Sequence, residues 1–169
     1  MNWRLPSSPV MQMETPSPAE VLARHSTHAP VDLKAMASEM GLGLRFETLP
    51  PGISGKLTRD RTASGGFRIV VRVDDPPRRQ RFTLAHEIAH FVLHRDLIGD
   101  DLTDDTMYRS SLSDEYERQA NALAGQILLP AKAMREAYRT NKSLAALSDL
   151  FDASGDAIRI RLKELGLAP

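Results

Sequence analysis

From residue 18 onward the chain alternates between helical and strand-like spacing of its apolar residues. Pro18 to about Met40 reads as helical, with a break near Thr27–Pro30. Pro30 suits the first turn of a second helix that ends near Gly41. Leu42-Gly43-Leu44-Arg45-Phe46 and Gly52-Ile53-Ser54-Gly55-Lys56-Leu57 read as short strands, and Thr62-Ala63-Ser64-Gly65-Gly66 as a turn. Phe67-Arg68-Ile69-Val70-Val71-Arg72-Val73 is the strongest strand, with Arg68 and Arg72 on its open face. Short hairpin-like connections make the expected sheet antiparallel. Asp74-Asp75-Pro76-Pro77 ends it.

The next stretch changes period. Phe82-Thr83-Leu84-Ala85-His86-Glu87-Ile88-Ala89-His90-Phe91-Val92-Leu93-His94 is apolar almost all round a helix. Its polar residues, Thr83, His86, Glu87, His90 and His94, share one stripe. An all-round apolar helix is buried, so that stripe needs partners. A second amphipathic helix follows, with Ser113 as a suitable cap and acids in its first turn. Tyr116, Ala120, Leu123 and Ile127 form its buried stripe. Glu117, Asn121, Ala124 and Leu128 lie beside it at the edge of the core, while Glu115 lines up with Gln119, Ala122 and Gln126 toward solvent. Residues 143–167 read as helix, tight turn, helix, with Ser154 as the second cap and Leu150, Phe151, Ala153, Ile158 and Leu162 as the seam.

The periodicity predicts an α+β domain over residues 18–169, a small antiparallel sheet packed on a helical bundle. Residues 1–17, rich in proline and serine and without periodicity, are expected to be a disordered tail. Balanced charge, 22 basic against 22 acidic residues, gives no general attraction to nucleic acid or acidic membranes. The absence of cysteine excludes a disulfide scaffold and a thiolate zinc site. No signal peptide and no bilayer-length apolar run is visible, so a cytoplasmic location is the expectation.

The candidate chemistry lies on the buried helix. His86-Glu87-Ile88-Ala89-His90 fits H-E-x-x-H. Residues four apart on a helix face the same side, so two imidazoles can close on one ion. Glu87 then stands beside the ion, placed to take a proton from a water. The alternative is a set of core histidines bonded to carbonyls. That fits one histidine better than two with a glutamate between them on one stripe. A catalytic zinc needs a third ligand, and Glu117 is the best candidate, with Asn121 one turn later placed to bond a ligand. His94, two turns from His86, is too far along the axis to be a ligand and is expected to pack near the site or meet a carboxylate or substrate. Tyr108 and Tyr116 could support an oxyanion, although a core or interface role is favoured for each. The acidic run 100–105 lacks the spacing of a calcium loop and reads as a solvated loop.

Arg81-Phe82-Thr83-Leu84-Ala85-His86-Glu87-Ile88-Ala89-His90, followed by Glu117-x-x-Ala120-Asn121-x-x-Ala124 and Leu128-Leu129-Pro130, resembles the ImmA/IrrE family of metallo-endopeptidases. Pro30-Val31-Asp32-Leu33 and Ile53-Ser54-Gly55-Lys56-Leu57 add to the likeness, which covers roughly residues 18–167. Gln119, where an acidic residue is common, and Leu123, where an aromatic is frequent, depart from it. The resemblance implies a zincin of gluzincin type holding one Zn2+ per chain, or another divalent transition metal, with His86, His90 and Glu117 as ligands and Glu87 as acid/base. It also implies a protein substrate, a helix-turn-helix repressor encoded nearby, in a stress, phage or toxin–antitoxin setting. The other reading is a non-proteolytic regulator that binds a repressor or DNA. Direct DNA binding by the C-terminal pair is disfavoured, because Asp149, Asp152, Asp156 and Glu164 offset Arg159, Arg161 and Lys163. The peptide is expected to lie beside the Phe67–Val73 strand.

Overall fold

Caps decide where the N-terminal helices begin. In the computed structural model, which describes residues 16–98 and 111–167, α1 spans Pro18–His25. Ser17 Oγ accepts from Glu20 N at 3.3 Å while the Glu20 carboxylate accepts from Ser17 N at 2.8 Å. This reciprocal capping box gives Ser17, expected to close the tail, a place in the helix. Helix α2 covers Leu33–Glu39, later than expected. Asp32 caps it by accepting from Ala35 N at 2.9 Å, so Pro30 falls in the preceding turn. Gly41 closes α2 with φ at +72°, and Leu42 N donates back to Ala37 O at 2.9 Å. A side chain at Gly41 would run into Ser64 and Gly65. That close approach lets Gly65 N bond Gly41 O at 2.9 Å.

Three strands follow: β1 (Gly43–Glu47), β2 (Gly55–Arg59) and β3 (Phe67–Arg72). Their order is β1-β3-β2. The β2–β3 hairpin is antiparallel, with Leu57 opposite Ile69, but β1 runs parallel to β3, with Leu44 opposite the same residue. The sheet is therefore mixed rather than antiparallel. The reason is burial. β3 buries Phe67, Ile69, Val70 and Val71, whereas β1 is largely exposed. The most apolar strand takes the centre, and the 48–54 connection carries the chain from β1 to the far edge before β3 returns between them. Arg68 and Arg72 are half-buried and tie down neighbouring segments. Arg68 pairs with Asp60 at 2.6 Å, and Arg72 donates to the carbonyls of Ile53 and Pro50.

Helix α3 (Pro77–His94) lies across the sheet and ends in a short 3-10 turn at Arg95–Leu97. Leu84, Ala85, Ile88, Ala89 and Phe91 are buried along it. Phe91 meets Phe67 edge to face, with ring centroids 5.5 Å apart. Helix α4 (Ser111–Leu128) packs against α3 and starts two residues before Ser113, the expected cap. Helix α5 (Ala131–Thr140) has no counterpart in the sequence reading, although Met134 is fully buried.

The C-terminal helices are α6 (Leu144–Phe151) and α7 (Gly155–Glu164). Ser143 and Ser154 cap them through Ala146 N and Ala157 N, at 3.4 and 3.2 Å. Asp152, at φ 48°, makes the turn between them. Phe151, Ala153, Ile158 and Leu162 are buried as expected, but Leu150 is 46% exposed and faces away from the seam. Three arginines tie this pair to the rest. Arg78 donates to Ser148 Oγ at 2.9 Å and pairs with Asp149 at 2.7 Å. Arg81 donates to the carbonyls of Asp152 and Val31. Arg161, itself buried, donates to Leu129 O at 2.9 Å. Phe151→Ala should therefore destabilise the whole chain, by about 3–5 kcal/mol for a buried phenylalanine. Urea unfolding followed by far-UV circular dichroism measures it. A loss below about 1 kcal/mol would mean that the pair contributes little to the core.

Candidate metal centre

The packing of α4 against α3 sets the geometry of the site. Ala85 and Ala89 on α3 and Ala120 and Ala124 on α4 are all fully buried. The packing carries Glu117 of α4 up to the polar stripe of α3. Its Oε2 lies 3.3 Å from His86 Nε2 and its Oε1 3.2 Å from His90 Nε2. The two Nε2 atoms are 2.9 Å apart. All three ligand atoms lie within 4.8 Å of one another, and such a group could hold a metal ion.

The donor set fits zinc. Four-coordinate zinc with bonds near 2.0–2.1 Å puts its ligand atoms about 3.3–3.4 Å apart. The observed separations of 2.9–3.3 Å are close to that edge. Two imidazole nitrogens this near each other repel unless a proton or a cation lies with them. Burial lowers the basicity of both rings. His90 is pushed down to about 3, with His86 and His94 adding to the fall. His86 is lowered by burial against the opposing pull of Glu117 and of the bond to Asn121. Neutral imidazole is the form that ligates a metal.

The sequence candidates come together unevenly. Asn121 is exposed on α4, and its Oδ1 lies 3.1 Å from His86 Nδ1, leaving Nε2 to face Glu117. His94 is 3% exposed and meets His90 Nδ1 at 3.1 Å, behind the ligand group rather than in it. Tyr116 is half-buried, with its ring 4.9 Å from that of His94. Tyr108 and the acidic run 100–105 lie outside the described residues. Glu87 is 7% exposed and lines a cleft of about 780 Å³ with Ile53, Ser54, Gly55, Phe82 and Thr83.

Gly55 is the site residue that sequence reasoning passed over. A Cβ there would collide with Thr83 Cγ2 and stand 3.1 Å from Glu87 Oε1. Glycine lets the β2 backbone lie directly against the polar stripe of α3. A glycine inside a strand is a sign of such close approach, so the signal was present. Arg79 fastens the same segment by donating to Ser54 Oγ at 2.9 Å.

A mixed three-stranded sheet and seven described helices, with a His-His-Glu group that could hold a metal ion, make up a zincin-like α+β fold. Residues 37–163 match the family model of the IrrE N-terminal-like domain, peptidase family M78, and the chain belongs to that family. This bears out the ImmA/IrrE resemblance. No curated protein matches the chain. Among solved structures it is similar to a Mycobacterium tuberculosis transcriptional regulator, at 20% identity and a TM-score of 0.59. The match covers 86% of this chain but 46% of that one, so the chain spans about half the length of this relative. At that identity the likeness establishes the fold alone.

Two measurements check the site. The His86→Ala/His90→Ala double variant should lose the metal that the parent chain carries, by elemental analysis of dialysed protein. Stoichiometric retention would rule the group out. Gly55→Ala should destabilise the fold by about 1–3 kcal/mol, as overpacking does, and unchanged unfolding would mean that β2 and α3 do not pack so closely.

Proposed function

We propose that the chain is a zinc-dependent endopeptidase. The observation that carries this is the convergence of His86, His90 and Glu117 on one point, with Glu87 on the same helix at the wall of an open cleft. His86, His90 and Glu117 would hold the ion. When bound, it would polarise the scissile carbonyl and lower the pKa of the attacking water. Glu87 takes the proton from that water and later delivers it to the leaving amine.

An incoming peptide has an edge to pair with, although not the expected one. β3 is flanked by β1 and β2 and has no open side. β2 is an edge strand of the described sheet, and its Gly55 end faces Thr83 and Glu87. The substrate therefore lies along β2, adding its own backbone as a further strand. Its source is a helix-turn-helix repressor or antitoxin-type partner encoded nearby, in a bacterial stress, phage or toxin–antitoxin setting. A DNA-reading role for α6–α7 is disfavoured. Arg161 is buried against Leu129 O, and Arg159 pairs with Asp156 at 2.7 Å. No described helix is long and apolar enough to cross a membrane.

Glu87→Gln is close to isosteric and cannot act as a base. The variant should retain the metal and lose cleavage of the neighbouring repressor by at least about a hundredfold, the scale of general-base catalysis. Electrophoresis of the repressor after incubation, with and without chelator, reads both requirements. Cleavage that survives both the substitution and the chelator would overturn the zinc mechanism, and a parent chain that binds the repressor without cutting it would overturn the peptidase reading and favour a binding role.

A further inference from the structure

The described sheet has two edges, and only β2 lines the cleft. β1 lies on the far side of β3. Val73 N donates to Glu47 O at 3.0 Å, one residue past the Glu47–Arg72 pair of the parallel ladder. That bond fixes the phase of β1. The main chains of Gly43, Arg45 and Glu47 turn toward β3, so the N–H and C=O groups of Leu44 and Phe46 point away from it. An edge of this kind is a template for a further strand.

The side chains along this edge are open to a partner. Phe46 is 37% exposed and Val73 46% exposed. Both line a groove of about 490 Å³ that also reaches the buried Leu33 and Leu84. On the opposite face of the strand stand Arg45 and Glu47, and no ion pair within the described residues holds either charge. Arg72 is the neighbour of Glu47 on β3, but its guanidinium is turned to the carbonyls of Ile53 and Pro50. Charges of a single sign on an edge repel a second copy wherever they meet. β1 instead carries one of each sign, two residues apart.

We propose that β1 is a homodimer interface, at which the β1 strands of two copies of this chain pair antiparallel about a two-fold axis between their Phe46 residues. Charge selects the register. Antiparallel strands bond through residues whose main chains point outward, here Leu44 and Phe46. Leu44 opposite Leu44 sets Arg45 against Gly43. Leu44 opposite Phe46 sets Arg45 against Arg45 of the second copy, and like charges directly opposite are destabilising. Phe46 opposite Phe46 sets Arg45 of each copy against Glu47 of the other. Those pairs fall at non-hydrogen-bonded positions, where side chains come closest. In that register each Phe46 N–H donates to the Phe46 C=O of the other copy. Both Phe46 rings lie on the face that carries the groove. The contact is isologous, so it closes as a dimer and does not propagate. It leaves the β2 edge and the cleft open, and it is independent of the peptidase reading.

Sedimentation velocity of the full chain reads the interface, over a concentration series up to about 1 mM so that weak association registers. The parent is expected to pass from monomer to dimer along the series. Arg45→Glu and Glu47→Arg each put like charges opposite one another at both positions. Each should weaken dimerisation by about tenfold, since two pairs lose an attraction and gain a repulsion. The two variants are complementary, because mixing them restores opposite charges at both positions. An equimolar mixture should form a 1:1 heterodimer about as tightly as the parent dimerises, which also shows that both variants fold. A parent that stays monomeric to the top of the series leaves β1 to another partner and overturns the proposal. So does a dimer that neither substitution weakens, or a mixture that does not associate. Metal and cleavage enter none of these readouts, so their failure would leave the peptidase reading standing.

Discussion

The close approach of α3 and α4 is the constraint on which the site depends. Their packing brings the Glu117 carboxylate to 3.3 and 3.2 Å from the Nε2 atoms of His86 and His90. The same approach brings Asn121 to His86 and Gln119 to His94. A single helix pair therefore supplies the three candidate ligands and the groups that orient them. The sheet, α2, α6 and α7 hold that pair in place from outside.

Burial and chemistry pull against each other along α3, and the resolution is local. A helix with its apolar faces in the core cannot leave polar groups unpaired at low cost. Each histidine of the stripe has a partner on another element. His86 meets Asn121 and Glu117, His90 meets Glu117, and His94 meets Gln119 and the Tyr116 ring. Burial also lowers the basicity of both candidate-ligand imidazoles. The environment that would penalise charged histidines is thus the one that leaves them able to bind a cation.

Much of this was legible in the residues, and the parts that were not share a cause. The stripe on α3 and the placement of Glu117 and Asn121 on α4 follow from helical spacing, a local property. The direction of β1 does not, because which strand takes the centre depends on the competing burial of three segments. β3 won that place with Phe67, Ile69, Val70 and Val71. The edge open to a peptide therefore moved from β3 to β2. Gln119 is exposed, as the spacing of α4 predicts, but its Oε1 also lies 3.1 Å from His94 Nε2, a contact across two helices that spacing within α4 does not give. Spacing puts Leu150 in the C-terminal seam, but it is exposed, and which face of α6 meets α7 is not a property of α6 alone. Helix α5 was missed because its largely polar sequence buries little more than Met134.

The narrowness of the β2 edge sets a condition on whatever enters the cleft. An edge strand offers hydrogen bonds only to extended backbone, and β2 is five residues long. A folded helical domain has already spent its backbone hydrogen bonds internally. It can enter only where a segment frays or where a linker is open to begin with. On the peptidase reading, selection among targets then falls partly on the target's own local stability. A repressor would be cut at a rate set by how often its susceptible stretch comes undone, and anything that holds that stretch folded, operator DNA or a dimer partner, would act as a protectant without touching the enzyme.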